Sequence, residues 1–362
     1  MARAMVRLQG AGRRYGAVTA LADIDLEVQQ GEFLTLLGPS GSGKTTLLNL
    51  ISGTVAATSG RIWIDGRDVT DLPSSQRGLG MVFQNYALFP HMTVAENIAF
   101  PLRVRRLPEA EIRRKVTEAL ELIRLPEVAA RKPKALSGGQ QQRIAIARCL
   151  VYSPSLVLMD EPLGALDKKL REQMQLEIKR LHTLLGMTIL YVTHDQEEAL
   201  VMSDRICLMR NGQIEQLDTA NDLYFRPKTV FAADFLGESN LLDGEIFRRD
   251  GVPAMRASGG LTMSGLSMTG LSQHGRPDGT RCKLIIRPEN VRVLADGETA
   301  DCIAQGVIED VIFVGGVTNF RVRLPDDVVL TTKRLTAETQ LALAPGVAVR
   351  LGWQARDVVV LD

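Results

Sequence analysis

The sequence predicts an α/β protein with a phosphate-binding loop and a central parallel strand, followed by a smaller all-β domain. Three observations predict it. Residues Gly38-Pro39-Ser40-Gly41-Ser42-Gly43-Lys44-Thr45-Thr46 form a Gly-x-x-x-x-Gly-Lys-Thr loop between an extended apolar run, 32–37, and a helix-forming run, 46–51. The run Ser155 to Met159 is continuously apolar and ends in Asp160-Glu161-Pro162, as a central parallel strand covered on both faces should. From about residue 240 the chain changes to short strand-like runs separated by turn residues.

At 362 residues the chain has room for two domains, each with its own core. Its 43 basic residues against 42 acidic ones, with 45% hydrophobic residues, describe an ordinary soluble protein and argue against a general affinity for nucleic acid, which needs a broad positive field. No window approaches the ~20 consecutive apolar residues of a membrane span. The first residues lack the apolar core of a secretion signal, so the protein is expected to stay in the cytosol. Cys149, Cys207, Cys282 and Cys302 are widely spaced within apolar segments and are read as reduced packing residues.

In chain order, Val6 to Leu8, the period-two run Ile24 to Val28, and the run into the loop are read as antiparallel strands. Tyr15 lies between the first two, and the sequence alone leaves it equally a base-stacking ring or a surface tyrosine. The glycines at 38, 41 and 43 allow successive N–H groups to turn inward toward phosphate oxygens, and the helix beginning at Lys44 adds its positive end. Lys44 is placed to reach the β- and γ-phosphates and the Thr45 hydroxyl to bind Mg²⁺. Residues 61–64 and 79–83 are strand-like, and Gln84 follows directly. In Asn85 to Pro90, large apolar residues occupy a loop, which fits either a docking surface or burial under neighbouring helices.

Helical spacing runs from Pro108 to Leu125, with Ile112, Val116, Ala119, Leu120 and Ile123 on one face. Arg131 to Lys134 breaks the pattern, and Leu136-Ser137-Gly138-Gly139-Gln140 is read as a small-residue loop opening a helix over 141–150. Asp160, at the end of its strand, suits Mg²⁺ directly or through water; Glu161, pointing the other way on an extended chain, is placed to polarise an attacking water. A helix is expected over 168–185 and a further apolar strand over 187–193. It ends in His194, which would face the same crevice and contact the γ-phosphate. His91, His182 and His274 have no such setting.

Tyr15, the 38–46 loop, Gln84, Leu136 to Gln140, Asp160-Glu161, Asp167 and His194, in that order, resemble the nucleotide-binding subunit of an ATP-binding-cassette (ABC) transporter over about residues 3–236. Leu-Ser-Gly-Gly-Gln is the most discriminating piece. The resemblance implies a P-loop NTPase fold with an antiparallel β subdomain and a helical subdomain, binding ATP and Mg²⁺. Tyr15 would stack on adenine and residues Gly38, Pro39, Ser40, Gly41, Ser42, Gly43, Lys44, Thr45 and Thr46 would hold the triphosphate. Thr45, Gln84 and Asp160 would serve Mg²⁺ and its waters. Glu161 would be the general base, with His194 keeping γ-phosphate and water in register. Ser137, Gly138, Gly139 and Gln140 would meet the nucleotide of a second copy, giving a head-to-tail homodimer with Asp167 contacting across it. Gly164 stands where a serine is common in the family, which removes one polar contact near Asp167. The resemblance further implies two membrane permease subunits docking near Gln84 to Pro90, an extracytoplasmic solute-binding protein, and residence at the cytoplasmic face of the inner membrane.

The C-terminal part is strand-rich over 283–293, 306–324 and 347–361, interrupted by a Gly/Ser/Met-rich stretch, 257–279, read as loop. Ile286 to Asn290 and Val314 to Asn319 resemble the small OB-like (TOBE) β-domain appended to importer ATPases, and the division is placed at 237/238. The longer stretches Val82 to Val94 and Phe231 to Asn240 look most like spermidine/putrescine importer ATPases, though sugar, ferric-ion and sulfate importers share most of these features. The competing class, soluble ABC ATPases acting on nucleic acid, carries coiled-coil insertions or a second cassette, and this chain has neither.

Overall fold

The structure, a computed structural model, describes residues 3–249, 252–258, 261–264, 277–338 and 343–361. The chain divides into two compact units, Met1–Ala220 and Asn221–Asp362. In the first, β1 (Ala4–Tyr15), β2 (Val18–Gln29), β4 (Ser59–Ile64) and β5 (Arg67–Asp68) make an antiparallel sheet ordered β2-β1-β4-β5. The strands β3 (Phe33–Leu37), β6 (Gly80–Val82), β7 (Leu156–Asp160), β8 (Thr188–Val192), β9 (Arg205–Arg210) and β10 (Gln213–Thr219) make a second sheet ordered β10-β9-β3-β8-β7-β6. Within it β3, β6, β7, β8 and β9 run parallel and β10 returns antiparallel to β9. The run into the phosphate loop is therefore not a third antiparallel strand. All five of its residues are buried, and a strand apolar on both sides needs covering on both faces.

Alternation along the central strands divides their side chains between two cores. Leu34, Leu36, Leu156, Leu158, Leu190 and Val192 pack with the antiparallel sheet and α1 (Lys44–Ser52). Phe33, Val157, Met159, Ile189 and Tyr191 face the other way, onto α4 (Gly138–Leu150) and α5 (Lys168–Leu185). A third core joins α2 (Val94–Val104), α3 (Glu109–Leu122) and one side of α4. The sequence reading omitted α2, although Thr93-x-x-Glu96 is a capping box: Thr93 Oγ1 accepts from the Glu96 N–H, and the Glu96 carboxylate accepts from the Thr93 N–H. Pro101 inside that helix hides its periodicity. The short helix α6 (Gln196–Met202) follows β8.

The second unit begins with α7 (Ala220–Phe225) and α8 (Val230–Phe235) and continues as β11 (Asn240–Arg249), β12 (Val252–Ala257), β13 (Leu261–Ser264), β14 (Arg281–Ile286), β15 (Arg292–Val293), β16 (Cys302–Val314), β17 (Val317–Arg323), β18 (Val329–Leu335), β19 (Ala348–Trp353) and β20 (Val358–Leu361). These strands form two five-stranded antiparallel sheets, ordered β13-β12-β11-β14-β20 and β15-β19-β16-β17-β18, around one shared core that includes Leu284, Phe320, Leu351 and Trp353. The expected division at 237/238 falls just before β11, whereas contacts gather α8 with these sheets, because Ala233 packs against Ile285 and Leu361. Pro288 interrupts the run read as one strand over 283–293, leaving a short 3₁₀ turn between β14 and β15. Of the stretch read as loop, Leu261–Ser264 is a strand, while residues 265–276, with His274, lie outside the described residues.

All four cysteines are free and buried, and burial pushes the thiols of Cys149 and Cys207 up to about 12 and that of Cys302 up to about 11. Arg287, 4% exposed, lies over the Tyr224 ring. It donates to the carbonyls of Tyr224, Ala233, Gly237 and Glu238 and to Ser239 Oγ at 2.7–3.2 Å, so one side chain ties α7, α8 and the approach to β11 onto β14. Arg287→Met should leave the buried Ala233 carbonyl and its part-buried neighbours without their donor and destabilise the second unit by roughly 3 kcal/mol. Denaturant unfolding of the full chain, followed by the fluorescence of Trp353, would read this as a lower midpoint.

Candidate active site

The loops following β3, β7 and β8 emerge side by side at the carboxyl edge of the parallel sheet, since β8 pairs with both β3 and β7. Together they shape a cleft of about 740 Å³ whose walls include Ser40, Gly41, Lys44, Thr45, Glu161 and His194. Thr46 and Gly43 also line it, whereas Gly38, Pro39 and Ser42 act from behind through Lys44. The Lys44 ammonium donates to the carbonyls of Gly38 at 2.7 Å and Pro39 at 2.9 Å, with Ser42 Oγ at 3.5 Å. Gly38, Gly41 and Gly43 have φ of 154°, 78° and 102°. A Cβ on Gly38 would stand 2.3 Å from the Met209 carbonyl oxygen, so the first glycine is imposed by its contact with β9 as well as by its backbone. Helix α1 has no acid in its first turn, which leaves its amino end open to an anion.

Charge is concentrated here. Burial lowers the Lys44 pKa, and the carboxylates of Glu161 and Asp160 oppose that shift. Burial and then the neighbouring Glu161 raise the Asp160 pKa, against the Thr45 hydrogen bond and the Lys44 charge. Thr45 Oγ1 stands 3.5 Å from Asp160 Oδ1, a pair of hard oxygen donors beside the loop. Among the described residues no group of three or more His, Cys, Asp or Glu side chains converges as a metal cage. This donor set fits a small cation that brings water and phosphate oxygens as its remaining ligands.

Glu161 does not continue the extended chain. Its φ is 43°, in the left-handed region, and its N–H donates to the Val192 carbonyl at 3.0 Å. The following Pro162 disfavours the right-handed helical region, and the turn, rather than strand alternation, carries this carboxylate to the cleft. There Glu161 Oε2 meets His194 Nδ1 at 3.2 Å, with the imidazole 63% exposed and the carboxylate side chain 25% exposed.

The cleft also has walls that sequence reasoning did not identify. Val18, Thr19 and Ala20 of β2 form one, and Asn211 and Gly212 of the β9–β10 turn form another. Gly212 binds on two sides, donating to the Ser42 carbonyl and accepting from the Ala22 N–H, both at 3.0 Å. The Asn-Gly dipeptide between two apolar runs signals a tight hairpin, in which both residues take positive φ, but not what that hairpin supports.

The family profile for ABC transporters matches residues 21–164 and that for the TOBE domain matches residues 284–361. The spermidine/putrescine import ATP-binding protein of Rubrobacter xylanophilus is 45% identical over 358 residues, covering 98% of this chain and 93% of that protein. Its counterpart in Thermobifida fusca is 46% identical over 348 residues, covering 95% and 88%. Among solved structures, a dimeric ATP-binding cassette in a post-hydrolysis state bound to ADP and Pi is 35% identical with a TM-score of 0.53, covering 60% of this chain and 99% of that one. The chain belongs to the ATP-binding proteins of ABC transporters. It is an ABC-type ATPase with a C-terminal TOBE domain. Among the described residues no helix is long and apolar enough to cross a membrane.

The remaining family motifs of the ABC ATPase stand outside the cleft's walls. Tyr15 is 46% exposed at the end of β1 with the Arg13 guanidinium 4.4 Å over its ring. Gln84 is exposed just beyond β6, its amide nitrogen 3.5 Å from where a Cβ on Gly164 would lie. The Leu136–Gln140 stretch is not a loop ahead of a helix: Ser137 is the exposed N-cap of α4, and Gly138, Gly139 and Gln140 already form its first turn. The reason is a capping box, with the Gln140 N–H donating to Ser137 Oγ at 3.4 Å and the Ser137 N–H to Gln140 Oε1 at 3.0 Å. Gly139 is fitted tightly, since a Cβ there would come within 2.7 Å of Leu170. Asp167 caps α5, accepting from the Leu170 N–H at 2.9 Å. In Gln84 to Pro90, Tyr86 and Ala87 take φ of 55° and 49°, and their carbonyls accept from Arg148 at 3.0 and 2.7 Å. Tyr86 and Leu88 are half-buried against neighbouring cores, while Phe83 remains 45% exposed.

The packing around the loop separates two glycines that look alike in sequence. Gly38→Ala should destabilise the protein by roughly 3 kcal/mol through its clash with Met209 added to backbone strain. Gly41→Ala, with nothing within 4 Å of the added carbon, should cost about 1 kcal/mol from φ alone. Thermal unfolding of the two variants side by side gives the comparison.

Proposed function

We propose that the chain is the ATP-hydrolysing subunit of a polyamine importer, working as a homodimer on the cytoplasmic face of the inner membrane. The observation that carries the mechanism is the Glu161–His194 contact of 3.2 Å at the mouth of the Lys44 cleft. It joins a general base to the histidine that orients it, within reach of a phosphate-binding loop. The polyamine assignment draws on the relatives at 45–46% identity, whose names specify spermidine/putrescine import and which match nearly the whole chain.

In this reading the N–H groups of the 38–46 loop and the Lys44 ammonium bind the β- and γ-phosphates, Lys44 moving its donors from the Gly38 and Pro39 carbonyls to phosphate oxygens. Thr45 and Asp160 hold Mg²⁺ directly or through water, with Gln84 reaching its waters; bound there, Mg²⁺ offsets negative charge on the transferring phosphoryl group. Glu161 takes a proton from the attacking water as its oxygen bonds to the γ-phosphorus and the bond to the β-phosphate oxygen breaks, releasing ADP and phosphate. His194 fixes the Glu161 carboxylate and contacts the γ-phosphate. Tyr15, with Arg13 on one face of its ring, offers the other face to adenine.

Ser137 and the amino end of α4 face the nucleotide held by a second copy, and Asp167 crosses to that copy. The dimeric state of the related solved cassette supports this arrangement. Two permease subunits dock near Gln84 to Pro90, where Arg148 and the buried Asn97 hold the loop backbone in shape and Phe83 and Phe100 are exposed. A solute-binding protein outside the membrane delivers the polyamine.

Glu161→Gln is expected to retain ATP binding while steady-state hydrolysis falls by at least about 100-fold, accumulating ATP-bound dimer on a sizing column. Near-normal turnover would remove Glu161 as the base. Deletion of the gene should abolish uptake of labelled putrescine or spermidine while sparing maltose uptake; the reverse pattern would overturn the substrate assignment.

A further inference from the structure

The mechanism above uses His194 but leaves open what holds the histidine in place, given that its ring is largely exposed. The backbone on either side of it is fixed by an arginine on another element. Arg171, one turn into α5, spreads its donors in three directions. Its Nη2 donates to the Leu166 carbonyl at 3.1 Å, immediately before the Asp167 cap. Its Nη1 meets Asp195 Oδ2 at 3.2 Å, on the residue immediately after His194. Its Nε faces Glu198 Oε1 at 3.8 Å.

Both acids are themselves committed to the His194 loop. Asp195 Oδ1 accepts from the N–H groups of Glu197 and Glu198 as the cap of α6, and the Asp195 N–H donates to Thr193 Oγ1. The buried Glu198 accepts from the Tyr191 hydroxyl at 2.7 Å, on the strand that delivers His194. The histidine is thus held before and after by groups that converge on one planar guanidinium, whose fork can satisfy several acceptors at fixed angles where an ammonium cannot. Along His194's outer side runs an open depression of about 500 Å³ bordered by Lys168, Arg171 and Asp195, which leaves that loop space to shift.

We propose that Arg171 is a positioning residue for ATP turnover. By bridging the Leu166 carbonyl and the Asp195 carboxylate, it sets the distance between His194 and Glu161 and couples that distance to the Asp167 turn. The proposal rests on the ATPase reading and adds a route to it. If Asp167 meets a second copy, displacement of the adjacent Leu166 carbonyl reaches His194 through one side chain. ATP itself binds on the other side of His194, so loss of Arg171 should impair the chemical step rather than nucleotide affinity.

The test measures ATP turnover and ATP binding of the full chain for wild type, Glu161→Gln, Arg171→Met and Arg171→Lys, with thermal midpoints for each. Arg171→Met is expected to lower kcat about tenfold with KM and ATP affinity within roughly twofold of wild type, and Arg171→Lys to recover part of the loss. Wild-type kcat in Arg171→Met overturns the proposal. A fall in ATP affinity matching the fall in kcat, together with a lower midpoint, also overturns it by making Arg171 a purely structural residue. If Arg171→Met does not fold, Asp195→Asn carries the test, since its amide oxygen can still cap α6 but no longer offers Arg171 a charge. There a kcat reduced about threefold at unchanged KM supports the bridge, and an unchanged kcat refutes it. Failure of the underlying ATPase reading looks different: wild type would not hydrolyse ATP, or Glu161→Gln would match it.

Discussion

Double-sided burial of β3, β7 and β8 is the constraint on which the rest of the first unit depends. Every residue of β3 and β8 is buried, and successive side chains divide between two cores. A strand of this kind can neither slip register nor turn over without pushing one apolar set into the opposite core. The ends of the three strands are therefore fixed relative to one another, and with them the phosphate loop, the paired acids and the histidine. Packing beneath the site fixes where the loops start, and hydrogen bonds made by the loops themselves, such as those of Lys44, Gly212 and Asp195, hold the charged groups in place.

Much of this was legible in the sequence because the informative features are local. The Gly38–Thr46 loop, the acids closing an apolar run and the helix over 168–185 each depend on a few neighbouring residues, and α5 occupies the span that periodicity indicates. What was not legible depended on residues far apart in the chain. Nothing near Gly212 reveals that it supports the phosphate loop, because that role arises from hydrogen bonds to Ser42 and Ala22. The pairing of β3 with β8 and β9 likewise joins segments separated by more than the whole helical region. Glu161 shows a third kind of gap: the acid closing the strand was visible, but its direction came from a left-handed turn that alternation along a strand cannot anticipate.

Capping explains two further differences. Thr93 and Ser137 each start a helix through the same reciprocal bond with a residue three positions on, and in both cases periodicity alone placed the helix late or missed it. At Ser137 the cap ties the Gln140 N–H back onto the side chain, so the small residues Gly138 and Gly139 open the helix rather than precede it.

The burial of Cys149, Cys207, Cys282 and Cys302 has a practical side. Thiolate is the reactive form, and enclosure shields all four thiols from maleimides and disulfide reagents, with burial in addition raising the pKa values of Cys149, Cys207 and Cys302. One or two cysteines introduced on the exterior would be labelled against a dark background without first stripping the native sulfur from the three cores that hold it. Fluorophore pairs or spin probes could then report distances in otherwise unmodified material.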